Sequence, residues 1–247
     1  ADSYTIGAKI SAIEPGAFLT PMHLKAVEVA SGNTALKSVK GVLYTADGSK
    51  LLYLPIGNQT IGMEGQLVLS DGLKEITRLA LAYNPRLKEL TLPASLERID
   101  AMALTYNAAM KSFAWAEGVT PQLVSVGDSA FYYDRSLEKV PYMPSCTSFG
   151  KAAFGLASAL KEVHIPAGCS IEANTFTGCQ IMSSVYAYSV EPPVINEATF
   201  GDIYSPEEAT LYVQKGAKEA YSKAKGWSIF GNIVEEDNLA IATVDAL

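Results

Sequence analysis

The chain has 247 residues, of which 49% are apolar, and its formal net charge is −7. Its few arginines do not form the basic stripe that neutralises phosphates, so nucleic acid is not an expected partner. No apolar run reaches the roughly 18–20 residues of a membrane helix, and the acidic balance disfavours binding to an anionic membrane surface.

The beginning of the chain contains no signal peptide, although it opens abruptly at Ala1-Asp2-Ser3, as a trimmed mature protein would. We therefore expect a signal peptide to have been removed. Residues 1–12 predict a lead-in strand or an N-terminal cap, and a first repeat covers about 13–30. Over about 36–57, two β-prone runs flank Asp47-Gly48, which is a strong β-hairpin signal. We interpret this hairpin as an insert that extends a sheet rather than as a separate domain.

One phrase recurs from Leu67 to about Tyr188. An aliphatic residue is followed after five positions by Ala-Phe or Ala-Leu, and six positions later a strand of the pattern Leu-x-x-Val-x-Ile begins. The anchors lie 23, 27, 23, 22 and 24 residues apart: Leu81, Leu104, Phe131, Phe154, Phe176 and Phe200. A period in the low twenties predicts a solenoid, because one such repeat cannot bury its apolar face alone. A short helical or 3-10 turn is expected before each strand.

A second ladder falls three residues after the anchors, at Asn84, Asn107, Asp134 and Cys179. Asn or Cys at one repeated position is typical of leucine-rich repeats, where the side chain turns inward and caps turn backbone. The phrase then fades. A strand, a turn and a short helix are predicted over 211–221, within a C-terminal cap of about 205–235 that covers the last open repeat. Residues 236–247 are a tail, either frayed or an extra edge strand.

These motifs resemble the BspA-type leucine-rich repeat family of bacterial surface proteins. The resemblance is carried by 126–131 (Val-Gly-Asp-Ser-Ala-Phe) and 136–141 (Ser-Leu-Glu-Lys-Val-Pro), by the hairpin and by the C-terminal run. It implies an α/β leucine-rich-repeat solenoid, mostly β with short helical or 3-10 turns, forming one unit over 1–235. It also implies secretion or attachment to the cell surface and a role in adhesion or macromolecular recognition, but it specifies no ligand-contacting residues.

The sequence predicts no enzyme, no metal site and no cofactor. Its two histidines, His23 and His164, lie in no metal-binding motif, and alternation along the strand predicts His164 to be exposed on the outer face. A thiol–imidazole pair would require a cysteine beside His164. Cys146 and Cys169 lie one period apart, so a disulfide is one interpretation and buried free thiols are the favoured one.

The candidate binding surface consists of regularly spaced aromatic residues and outward strand residues. These are Tyr83, Tyr106, Tyr132 and Tyr133, together with Glu89, Thr91, Lys139 and His164. Aromatic rings at regular spacing stack on sugars or anchor protein partners, whereas their structural alternative is packing between repeats. We expect a non-enzymatic binding protein with a protein or glycan ligand. A glycan-binding module of a surface carbohydrate system and an architectural spacer are the alternatives.

Overall fold

The structure is a computed structural model that describes residues 2–19, 23–237 and 239. These residues form short β-strands joined by turns, with a single six-residue helix, α1 (Lys218–Lys223). The strands are β1 (Ser3–Ile6), β2 (Ala26–Val29), β3 (Leu36–Val39), β4 (Val42–Thr45), β5 (Lys50–Tyr53), β6 (Gln66–Val68), β7 (Glu75–Ile76), β8 (Glu89–Leu92), β9 (Arg98–Ile99), β10 (Ser112–Trp115), β11 (Ser125–Val126), β12 (Lys139–Val140), β13 (Ser148–Phe149), β14 (Glu162–Ile165), β15 (Ser170–Ile171), β16 (Ser184–Ala187), β17 (Thr210–Gln214) and β18 (Asn232–Glu236). The chain is a mostly-β solenoid.

Each repeat contributes one strand to each of two series of parallel strands. The first series runs β7-β9-β11-β13-β15 and is prolonged by β5-β4-β3 at its N-terminal end. The second series consists of β6-β8-β10 and then β12-β14-β16-β17-β18. Partners across β8 and β10 are 23 residues apart, as in Leu90↔Phe113, so the sequence period sets the register. A separate pair, β1-β2, lies near the N-terminus.

The third side of each repeat is a turn, and successive turns are hydrogen-bonded to one another. The N–H of each anchor donates to a carbonyl of the next turn, as from Leu104 to Ala130 (2.9 Å), from Phe131 to Ala153 (2.7 Å) and from Phe154 to Thr175 (2.9 Å). These segments are turns and not the helical or 3-10 turns that the sequence predicts. The prediction was wrong because their N–H groups point to the next repeat, while helix formation would require them to point back along the chain.

Left-handed residues also exclude a helix from these turns. Met102 has a φ of 57° and Tyr106 a φ of 63°, and equivalent positions in neighbouring repeats repeat this conformation. Such residues reverse the chain at two points within each turn, whereas a right-handed helix needs negative φ throughout. The result is a repeat short enough to stack at a low-twenties period.

The anchors form the centre of the core. Phe113, Phe131, Phe154, Phe176 and Phe200 stack in sequence, with centroid distances of 4.6, 5.2, 5.6 and 5.4 Å and interplanar angles of 20° or less. All five rings are buried. Phe131, Phe154, Phe176 and Phe200 are anchors, and Phe113 joins them from β10. The periodic phrase therefore places one large apolar side chain per repeat at the solenoid axis.

The N-terminal part departs from the repeat pattern and packs around its own small apolar cluster. Strands β4 and β5 pair antiparallel on either side of Asp47-Gly48, where the sequence predicts a hairpin. Strand β3 also pairs antiparallel with β4, which the sequence analysis did not predict. Its turn is Lys40-Gly41, with φ values of 53° and 78°. Two successive positive φ angles are the mark of a two-residue type I′ turn.

The C-terminal part contains β17, the turn after it and α1, where the sequence predicts a strand, a turn and a short helix. Trp227 and Phe230 pack edge-on against Phe200, the last ring of the core stack. Strand β18 then closes the second series by pairing with β17. Of the predicted tail, residues 238 and 240–247 lie outside the described residues.

We predict that Phe154→Ala lowers the free energy of unfolding by about 3–5 kcal/mol, because it removes a fully buried ring with stacking partners on both sides. Urea denaturation followed by circular dichroism measures this change. The matched control is Tyr204→Ala, which truncates a 70% exposed ring and should change stability by less than about 0.5 kcal/mol. Equal effects of the two substitutions would contradict a continuous aromatic core.

Candidate functional site

The tyrosine column consists of Tyr83, Tyr106, Tyr132 and Tyr133 and lies on the turn side of the solenoid. Tyr83 and Tyr106 stack at 5.1 Å with an interplanar angle of 11°, and Tyr106 lies 4.6 Å from Tyr133. Tyr132 meets Tyr106 at a tilt, 6.0 Å away. The two faces of the Tyr106 ring are thus occupied by other tyrosines. The sequence correctly predicts that these side chains come together.

Backbone geometry fixes the column. Tyr83, Tyr106 and Tyr133 all have left-handed φ values, of 60°, 63° and 67°. Their N–H groups donate to the next turn, from Tyr83 to Thr105 and from Tyr106 to Tyr132. Because backbone conformation and hydrogen bond repeat together, the side chains project in the same direction from every turn. At the C-terminal end of the column, the Arg135 guanidinium lies 4.1 Å from the centroid of Tyr133, in cation–π geometry.

The ladder of Asn84, Asn107 and Asp134 lies directly beneath the column, one residue further along the chain. Asn107 Oδ1 accepts a hydrogen bond from the Asn84 N–H, and Asp134 Oδ1 accepts one from the Asn107 N–H, both at 2.7 Å. Asn107 Nδ2 donates to the carbonyl of Leu104. All three side chains are buried. The predicted inward capping of turn backbone is confirmed, and it anchors the residues that follow each tyrosine.

Asp134 is the strained member of the ladder. Its Oδ2 is buried and has no hydrogen-bond partner among the described residues. Burial raises the pKa of this carboxyl well above its usual value, although the hydrogen bond from Asn107 opposes the shift. Ionising Asp134 in the folded state is therefore unfavourable, and the ladder works best when this position is uncharged.

We predict that Asp134→Asn raises the free energy of unfolding at pH 7 by about 1–3 kcal/mol, because the amide keeps the acceptor for Asn107 without a buried charge. The folded pKa is raised, so the parent protein binds more protons when folded and loses stability as pH rises above the usual Asp range. Urea titrations at pH 5 and pH 7 should therefore converge for the variant. The inverse substitution, Asn107→Asp, should destabilise at pH 7, and stabilisation by it would contradict this account.

A second aromatic group lies on the outer face of the second strand series. We call it the strand-face cluster and define it as Tyr142, His164, Tyr186, Tyr188 and Tyr212. His164, Tyr186 and Tyr212 occupy equivalent positions on β14, β16 and β17, and their rings stack at 4.4 Å in each step, within 8° of parallel. Tyr142 stacks on Tyr188 at 4.3 Å. The sequence analysis missed this cluster, although Tyr186 and Tyr212 follow His164 at 22 and 26 residues.

His164 is buried, with 3% of its surface exposed, so the prediction of an exposed histidine was wrong. Its side chain does point outward, but Tyr186 and Tyr188 cover it. Nδ1 lies 2.8 Å from the Tyr188 hydroxyl and Nε2 lies 2.7 Å from Glu162 Oε1. Burial lowers the pKa of His164, which favours the neutral ring. A carboxylate only accepts, so Nε2 carries the proton and Nδ1 accepts from the Tyr188 hydroxyl.

Charges surround the strand-face cluster in a defined order. Lys139 Nζ bridges to Glu162 Oε1 at 2.8 Å, the same oxygen that contacts His164. Although desolvation raises the pKa of Glu162, hydrogen bonds from Lys139 and His164 outweigh it and hold the pKa below its usual value. Burial and the neighbouring Tyr212 raise the pKa of Tyr186 to about 12, so its hydroxyl stays protonated at neutral pH. The cluster is an aromatic surface with one ionised carboxylate at its edge.

The predicted site residues therefore divide into two surfaces. The four tyrosines form the turn-side column, whereas Lys139 and His164 join through Glu162 on the strand face. Glu89 and Thr91 lie on the same outer face but on β8, in the other sheet of that series. No ring contact or hydrogen bond joins the column to these strand residues within the described chain.

Neither surface has the groups of an active site. Both nitrogens of His164 are engaged by Tyr188 and Glu162, and the cysteines are buried free thiols, as the favoured interpretation predicts. Across residues 2–19, 23–237 and 239, no three His, Cys, Asp or Glu side chains gather in a way that would hold a metal ion. In the same residues, no helix has the length and apolarity to cross a bilayer.

Comparison with known proteins identifies the repeat. A family model described as a BspA type leucine rich repeat region matches residues 74–205 in six copies. No match was found among curated proteins.

Solved structures with the same fold are distant in sequence. The pneumococcal vaccine antigen PcpA is 20% identical, with a TM-score of 0.75 over 96% of this chain and 56% of its own. A leucine rich cell surface protein from Faecalibacterium prausnitzii is 17% identical, with a TM-score of 0.60 over 91% of this chain and 51% of its own. A leucine-rich repeat protein from Eubacterium ventriosum is 16% identical, with a TM-score of 0.59 over 82% of this chain and 59% of its own. The chain thus spans little more than half the length of these proteins.

Proposed function

We propose that this chain, which belongs to the BspA-type leucine-rich repeat family, is a non-enzymatic binding protein that is secreted or displayed on a bacterial surface. Its role would be adhesion or recognition of host macromolecules. Support comes from two proteins of the same fold, one printed as a vaccine antigen and the other as a cell surface protein. None of the structures compared is described as an enzyme.

We place the binding surface on the tyrosine column. Tyr83 and Tyr106 are 38% and 39% exposed, which is high for rings that also stack on neighbours. The rigid left-handed turns hold them in place before any ligand arrives, so little conformational entropy is lost on binding. Tyrosines presented in this way are frequent anchors of protein interfaces. The strand-face cluster, with Lys139, Glu162 and Tyr212, would supply a second contact area.

The stacking itself favours a protein over a glycan. A sugar ring packs on the free face of an aromatic ring, but both faces of Tyr106 are covered by Tyr83 and Tyr133. Arg135 covers a face of Tyr133. What remains uncovered is ring edge, which suits edge-on aromatic contacts and hydrogen bonds from a protein surface. This coverage of the ring faces is the observation that carries the proposal.

The remaining parts of the chain would support this surface. In this view residues 1–235 form one unit, the antiparallel strands near 36–57 are an insert, and residues from about 205 to 235 are a cap. The cap would shield the last core ring, because Trp227 and Phe230 cover Phe200 at the end of the stack. An open end would otherwise expose apolar surface to water.

We predict that the purified protein binds at least one extracellular-matrix protein saturably, and that the double variant Tyr106→Ala, Tyr133→Ala weakens this binding at least tenfold. Two anchoring rings at the centre of an interface contribute enough free energy for such a loss. Biolayer interferometry against a panel of matrix proteins, with a glycan array in parallel, measures it.

Two controls make the result specific. Tyr4→Ala, Tyr204→Ala removes two rings that are 55% and 70% exposed away from the column, and it should bind normally. Tyr106→Phe, Tyr133→Phe keeps the stack and separates the ring from the hydroxyl. Binding to glycans alone would overturn the protein-ligand proposal in favour of a carbohydrate module. Silence in every assay would favour an architectural spacer.

A further inference from the structure

Strand β6 is an open edge inside the solenoid. It is the end strand of β10-β8-β6, and in the described residues it pairs with β8 alone. The first strand series continues past this level, because β5, β4 and β3 prolong it beyond β7. The second series does not, since all three antiparallel strands join the first. The space beside β6 therefore lacks the strand that would continue the sheet.

A groove occupies this space. Its volume is about 510 Å³, and its walls are β6 on one side and Val39, Val42 and Leu54 on the other. A second cavity of about 210 Å³ continues it along the chain direction of β6, sharing Val39, Tyr44 and Ser70 with the first. The groove thus runs alongside the strand and opens onto apolar core residues at its base.

The backbone of β6 points hydrogen-bonding groups into the groove. In a parallel ladder, alternate residues direct both N–H and C=O to the same neighbour. Leu69 donates its N–H to Thr91, and Gly65 accepts from Glu89, so residues 65, 67 and 69 face β8. Gln66 and Val68 therefore face the groove. The Gln66 carbonyl accepts from the Gly62 N–H at 2.8 Å, whereas the N–H and C=O of Val68 point into the open space. The Val68 side chain is 70% exposed.

We propose that this groove binds an extended segment of a partner protein, which adds to β6 as a further strand. Backbone groups spaced along a strand are matched by another extended backbone, because a helix has already paired its own N–H and C=O groups. The segment should alternate apolar and polar residues. Its inward side chains would pack on Val42 and Leu54, and its outward ones would lie beside Val68 in solvent.

Charge adds a preference to this pattern. Lys40 lines the groove and forms no ion pair with any residue that the structure describes. An acidic residue at the corresponding end of the segment would pair with it. This site is separate from the tyrosine column, so it does not depend on the proposed function of the column.

The experiment selects ligands and then tests their backbone dependence. Phage-displayed random dodecapeptides are panned on the wild-type protein and counter-selected on Val68→Pro. Proline removes the N–H that faces the groove but none that pairs with β8, so the edge strand tolerates it. Recovered peptides should alternate in polarity and bind Val68→Pro at least tenfold more weakly. Val68→Ala, which keeps the N–H, should bind within twofold of wild type.

Two further measurements keep the test independent of how well Val68→Pro folds. Val39→Trp fills the groove from the opposite wall without touching β6, and it should also weaken binding at least tenfold. N-methylation at successive peptide positions should weaken binding at every second position, since only alternate N–H groups face β6. The double variant Tyr106→Ala, Tyr133→Ala should bind the peptides normally.

Several outcomes would overturn the proposal. These are recovery of no peptide that distinguishes wild type from Val68→Pro, a loss in Val68→Ala equal to that in Val68→Pro, and N-methylation without the two-residue period. Self-association of the protein that Val68→Pro abolishes, seen by sedimentation velocity, would identify a second copy of this chain as the occupant.

Discussion

Everything in this molecule depends on hydrogen bonds between equivalent backbone atoms of successive repeats. In the turns, the anchors donate to the next repeat from Leu81 to Ala103, from Leu104 to Ala130 and onward. In the strands, the register advances by 22 to 23 residues per step along most of the array. A repeat that broke these bonds would leave buried backbone groups unpaired, which costs more than most side-chain changes recover. The chain therefore tolerates variable side chains but little variation in repeat length.

This constraint converts sequence position into columns. Side chains at one position of the repeat must lie above one another, so a single residue type at that position becomes a ladder. Phenylalanine at the anchor forms the core stack, Asn and Asp three residues on form the capping ladder, and tyrosine between them forms the exposed column. The same rule applies on the strand face, where His164, Tyr186 and Tyr212 stack. The column ends where Leu156 takes the tyrosine position, with the same left-handed φ of 59°. Its extent is thus set by side-chain identity alone.

The features that follow the period were predictable from the sequence. The anchors, the strands after them, the capping ladder and the contacts within the tyrosine column all come from counting residues. The 27-residue gap around Ala116–Gln122 likewise predicts the exposed loop seen at Glu117 and Gly118. The parallel strand partners follow too, since the register equals the spacing between repeats.

The features that were missed depend on residues outside the repeated phrase. Tyr188 lies just beyond β16, and its hydroxyl reaches back to His164 on β14, which no spacing within one repeat reveals. Lys40 has a positive φ although it is not glycine, so its turn, and with it β3, went unrecognised. The turn segments carry alanine-rich sequences that favour helix locally. The hydrogen bonds to the neighbouring repeat override that preference, because they satisfy the same N–H groups without a helix.

Local breaks in the period also determine where the solenoid presents unpaired backbone. A regular array pairs every interior strand on both sides and exposes edges only at its two ends. Strands β3, β4 and β5 join one series and not the other, so the two series fall out of step at β6. The edge created there lies within the molecule, next to the apolar side chains of Val42 and Leu54, instead of at a capped end. Natural sheets usually cover or disrupt such edges to prevent unwanted pairing. Here the turn at Gly62 covers only the Gln66 carbonyl, and Val68 is left open, which is the arrangement expected of an edge kept for a partner.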